Sequence, residues 1–82
     1  MTKLSIERTV RTRDGLVPAS QILGLKAEQD NRGWYVVATT KAGETYEVDA
    51  FGAGYLTDRF EHYSICLAFL LKIQNRIDRW EI

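Results

Sequence analysis

The chain has 82 residues, one cysteine, one histidine and no net charge. So short a domain buries only roughly 60–65% of the surface its unfolded form exposes, and a disulfide, a structural metal or a partner subunit often supplements the core. Cys66 and His62, each alone of its type, exclude an internal disulfide and a His/Cys zinc site and leave the partner subunit open.

Residues 3–13, KLSIERTVRTR, alternate. Leu4, Ile6 and Val10 fall on one face, and Ser5, Glu7, Thr9, Arg11 and Arg13 on the other, with Arg8 alone breaking the inward set. Period two predicts a strand with one wet face. Arg13-Asp14-Gly15 reads as a turn. Residues 16–29, LVPASQILGLKAEQ, are ambiguous. Pro18 demands an edge or a loop, and Ser20 could cap a short helix. Gly24 would then sit mid-helix at a cost of ~1 kcal/mol relative to alanine. Leu23, Leu25 and Ala27 alternate with Gly24, Lys26 and Glu28, which favours a strand.

Asp30-Asn31-Arg32-Gly33 is a turn by composition. The run WYVVATT from Trp34 to Thr40 is aromatic and β-branched, and apolar on both faces. That predicts a central strand covered at least partly on both sides. Lys41-Ala42-Gly43 turns the chain, with Gly43 at positive φ, and ETYEVDAF alternates again, so residues 34–51 form a hairpin. Gly52-Ala53-Gly54 is a break. Beyond it no Gly or Pro interrupts the chain, and Thr57, followed by Asp58 and Glu61, suits a helix start. The expected fold is α+β in one domain, residues 1–82. A small antiparallel meander of three to five strands (1–52) is followed by one long C-terminal helix (55–82) packed on it.

Residues 64–72, SICLAFLLK, are more apolar than one sheet-facing stripe requires. At about 100° per residue, Cys66, Leu70, Ile73 and Ile77 form one narrow stripe. With Val36, Tyr46 and Val48 they are the expected core. Tyr63, Leu67, Leu71 and Ile82 widen the stripe on one side, Phe69 and Trp80 on the other, to an arc of about 200°. Either the sheet curls round the helix, or a flank is a contact surface; large apolar patches on soluble chains mark interfaces, and the second reading is preferred. The expected partner-binding residues are Tyr35, Phe69, Leu71, Trp80 and Ile82.

Little in the sequence points to chemistry. His62 and Cys66 are four residues apart on one helix and could meet, but a lone cysteine in an apolar stripe is usually a small hydrophobe. Glu47 and Asp49 share a strand face, the commonest kind of solvated surface, balanced by Arg11 and Arg13 if the first strand lies beside it. The glycines at 52–54 lack a phosphate-loop fingerprint. No catalytic residue, metal ligand or cofactor is expected. A nucleic-acid surface would use Arg11, Arg13, Lys72, Arg76 and Arg79 against phosphates, but zero net charge speaks against it.

The opening MTKLSIERTV has no apolar core of the signal-peptide kind. The longest apolar run, Ile65 to Leu71, is far below the ~20 residues that span a bilayer. A cytoplasmic chain is expected. In size and outline it resembles small accessory proteins of bacteria, phages and mobile elements, anti-CRISPR-type inhibitors among them. The expected function is a non-enzymatic protein-interaction module, either homodimeric or an inhibitor of a larger partner, with nucleic-acid binding as the alternative.

Overall fold

The computed structural model describes residues 8–80; the readings made for Leu4, Ile6 and Ile82 lie outside the described residues. A two-stranded hairpin, a three-stranded meander and a helix account for most of it. Strand β1 (Thr9–Thr12) turns at Arg13-Asp14 into β2 (Gly15–Pro18), with Thr9 opposite Pro18 and Thr12 opposite Gly15. Thr12 closes the turn from its side chain: its hydroxyl donates to Gly15 O at 2.7 Å and accepts from Asp14 N. A 3₁₀ turn (Ala19–Gln21) leads into β3 (Ile22–Asp30), which pairs antiparallel with β4 (Gly33–Thr40), and β4 pairs with β5 (Thr45–Glu47). The fold is α+β, with the expected antiparallel strands and one long C-terminal helix, α1 (Tyr63–Trp80).

The two small sheets join edge to edge. Thr12 bridges Val48, the Arg13 N–H donates to Glu47 O, and the Asp49 N–H donates to Arg11 O. Across the sheet the order is therefore β3-β4-β5-β1-β2. The outermost members, β2 and β3, are consecutive in the chain and joined by only the three residues of the 3₁₀ turn. The sheet has to curl on itself to allow that. The Lys41 N–H donates to Gln21 O and pins the curl.

Helix α1 packs into the hollow, mainly over β3 and β4. Val36, Ala38, Val48, Ala50 and Val10 meet Cys66, Phe69, Ile73 and Ile77 there, with Ile22, Ala19 and Phe60 closing the ends. An irregularity in β3 makes this possible. Ile22 lies opposite Thr40 and Gly24 opposite Thr39, so Leu23 is an extra residue. Such a bulge shifts the alternation by one. Ile22 and Leu25, three apart, both reach the core side, and Leu23 is left 70% exposed.

Three expectations are corrected. The helix does not begin near Thr57, as a 55–82 helix requires. The Thr57 hydroxyl bonds Arg59 instead, accepting from its N–H and donating to its O. Phe60 pairs as a strand residue with Trp34, through N–H···O bonds of 2.7 and 2.8 Å. α1 opens only after that pairing. The helix is also rotated from its expected setting. Phe69 is fully buried and packs edge-on against Tyr55 and at a tilt against Phe60, while Leu70 is half-buried at the margin. Tyr46, expected in the core, is likewise half-buried and donates its hydroxyl to Glu44.

Candidate functional site

The surface residues sort into three places. The first is the sheet face away from α1. Arg59 lies there with its guanidinium 4.0 Å from the Tyr35 ring centre. Its Nε donates to both Asp30 oxygens, at 3.2 and 3.1 Å, and its terminal nitrogens donate to both oxygens of Glu47. Arg13 joins Glu47 to Asp58, and Arg32 approaches Asp58. Three arginines and three acids thus neutralise one another. The hydrogen bond from Arg59, helped by the Arg32 and Gly33 N–H groups, holds the Asp30 carboxyl below the usual range. Burial works to raise the Asp58 carboxyl, but the Arg13 hydrogen bond, a backbone N–H and the charges of Arg32 and Arg13 outweigh it, and the group is lowered. Bonding to Glu47 raises Arg59, against burial. Among the described residues no buried side-chain N or O atom lacks a hydrogen-bond partner, and the arrangement clamps the chain before α1.

The second place is the outer edge of β3. No described strand pairs with it, so alternate backbone N–H and C=O groups along nine residues face outward. Lys26 and Glu28 on this strand pair with each other at 3.1 Å. Helix α1 packs over β3 and β4. One of its flanks, carrying Arg76, faces β1 and the 3₁₀ turn at Phe51–Ala53. By helical spacing Tyr63, Leu67 and Leu71, four apart, fall on the flank away from Arg76. Tyr63 is 48% and Leu71 49% exposed, and Tyr63 meets Trp34 edge-on at 4.9 Å.

The third place is a cavity of about 300 Å³ where β1, the Phe51–Ala53 turn and α1 meet, with Arg11, Asp49 and Arg76 in its wall.

Set against these places, the expected partner-binding residues separate. Leu71 is at the surface as expected. Phe69 is a core residue because the helix is rotated, Trp80 packs against the core, and Tyr35 lies beneath Arg59. Tyr63 and Leu67 belong with Leu71 instead, and both were legible as one edge of the apolar arc. The five cations of the alternative reading also divide. Arg13 is held by Glu47 and Asp58. Arg11 and Arg76 share the cavity, Lys72 lies 5.6 Å from the Tyr55 ring centre, and Arg79 is exposed in the last helical turn. Glu47 and Asp49 engage different partners, since the Asp49 carboxylate accepts from the Phe51 N–H. Cys66 is fully buried, which pushes its thiol up and away from the nucleophilic thiolate. Among the described residues no cluster of His, Cys, Asp or Glu could hold a metal ion, and no helix is long and apolar enough to cross a membrane. No family model, no curated protein and no solved structure matches the chain.

Proposed function

We propose that the protein is a non-enzymatic interaction module, a small cytoplasmic accessory or inhibitor protein. Its docking face combines the outer edge of β3 with the Tyr63–Leu67–Leu71 flank of α1. The observation that carries this reading is a nine-residue strand edge that no described strand pairs with, in a chain that also exposes apolar side chains on α1. Edge strands invite added strands, and apolar patches beside them supply affinity.

The first occupant is a second copy. Antiparallel pairing of two β3 strands about a two-fold axis at Ala27 sets the Lys26 of each copy opposite the Glu28 of the other. The strand is thus complementary to itself, as a symmetric dimer demands, and only the small Ala27 meets its own twin. Sedimentation velocity over a concentration series tests this. The parent should dimerise. Lys26→Glu creates two like-charge pairs and should weaken the dimer roughly tenfold or more, and Lys26→Glu with Glu28→Lys should restore it. A parent that stays monomeric at every concentration, or a double variant no better than the single, overturns the self-pairing. A strand offered by a larger partner is the remaining occupant of the edge, and Leu71→Glu should then abolish capture of that partner.

One observation favours nucleic acid as a second reading: Arg11, Lys72, Arg76 and Arg79 have no ion-pair partner among the described residues. Strong, salt-sensitive binding to random duplex would establish it.

A further inference from the structure

The charged residues are unevenly used. Arg13, Arg32 and Arg59 each have a carboxylate within ion-pair distance, while Arg11 and Arg76 have none among the described residues, although Asp49 shares their cavity. Asp49 is engaged elsewhere, with Oδ1 accepting the Phe51 N–H at 3.0 Å. Two arginines from different elements, β1 and α1, therefore line one concave site with no carboxylate partner among the described residues.

We propose that this cavity binds a small monoanion with an apolar body, a carboxylic acid, held by Arg11 and Arg76. Guanidinium groups match the two oxygens of a carboxylate. With Asp49 in the wall the site carries one net positive charge, which suits a monoanion better than a dianion. Besides Thr9 and Gly52, the rest of the wall is apolar side chain: Val10, Val48 and Ile73, which are buried, with Ala53 and the exposed Leu16. That explains why Leu16, at 56% exposure, stands out at the surface. The volume, about 300 Å³, is at the small end of ligand pockets.

Gly52 sets Arg11 in place. A Cβ at position 52 would come within 2.6 Å of Arg11 Cδ and 3.5 Å of its Nε. The arginine stem thus lies against bare backbone, and any side chain there would push it off. The obstructed group is a flexible stem, so Gly52→Ala should move Arg11 at little cost to the fold.

Amide chemical-shift titration with hexanoate at constant ionic strength tests the site, with inorganic phosphate as the second probe. Hexanoate should give saturable shifts at Val10, Arg11, Gly52, Ala53 and Arg76. Arg11→Gln and Arg76→Gln should each weaken binding roughly tenfold, and Gly52→Ala should weaken it with an unchanged Tm. Lys41→Gln, distant from the cavity, should leave it as it was. The proposal is overturned by an absence of saturation. It is equally overturned by comparable shifts at Arg8, Lys72 and Arg79, which would describe a general cationic surface. Phosphate binding more tightly than hexanoate would overturn it too, and would point to phosphate chemistry.

Discussion

Replacing Arg59 by methionine keeps most of the side chain's bulk and removes its charge. The side chain is 11% exposed, and it neutralises Asp30 and Glu47, whose side chains are 34% and 21% exposed. Removing one partner of a fully buried pair costs about 3–5 kcal/mol. Both carboxylates keep a side toward water and can rehydrate, so about 2–3 kcal/mol is the expected part here. Losing the cation over Tyr35 adds roughly 0.5–1 kcal/mol. At about 4–8 °C per kcal/mol for a domain of this size, Tm should fall by roughly 10–30 °C. The loss has a pH signature as well. Asp30 is lowered chiefly by Arg59, so its contribution is fully present above the ordinary value of 3.8 and is lost as pH falls through the lowered value. The stability gap between parent and Arg59→Met, measured by urea unfolding, should therefore narrow as pH drops below about 4. A gap under about 1 kcal/mol at neutral pH, or one that stays constant into acid, would refute the clamp.

Gly33 has φ 138°, and a Cβ there would stand 2.6 Å from the Phe60 carbonyl oxygen. Gly33→Ala should cost about 2 kcal/mol or more, whereas Gly43→Ala, at φ 87° with open space around it, should cost about 1 kcal/mol; comparable urea midpoints would contradict this. Phe69→Ala should cost about 3–5 kcal/mol and Leu71→Ala within about 0.5 kcal/mol, and a reversal of that order would mean the helix face is wrong. The buried Cys66 thiol should resist an aromatic disulfide reagent at neutral pH until the chain unfolds, so rapid reaction of the native protein would count against its burial.

What could be read in advance was what local pattern controls. Arg13-Asp14-Gly15, the Trp34–Thr40 strand and the Gly43 turn all stand where composition put them, because turn residues and period-two alternation act over a few positions. Of the balance expected between Glu47, Asp49 and the first strand's arginines, Arg13 with Glu47 forms, whereas Arg11 has no ion pair among the described residues. The errors are non-local. Thr57 is a good cap by composition, but the chain after it is taken up by Trp34, far away in sequence, before any helix can form. The rotation of α1 toward Phe69 depends on where the Tyr55 and Phe60 rings lie, which no periodicity contains. The bulge at Leu23 inverted the faces assigned to that residue, since alternation assumes an unbroken register. Arg59 read as one cation among eleven, and its clamp exists only once β3, β5 and the return segment have met.

The Phe60–Trp34 pairing bears on how the chain folds. α1 has no acidic residue in its first turn, and a helix in a protein draws most of its stability from tertiary packing. Its start is set by a backbone pairing with a strand and by Arg59 reaching Asp30, 29 residues earlier. Both contacts close a long loop, and the entropy of that closure falls on a single step. The helix thus has little reason to persist once β4 is lost. Amide exchange from α1 and from β4 should follow one opening reaction, with the two segments forming a single cooperative unit although they lie at opposite ends of the long return loop.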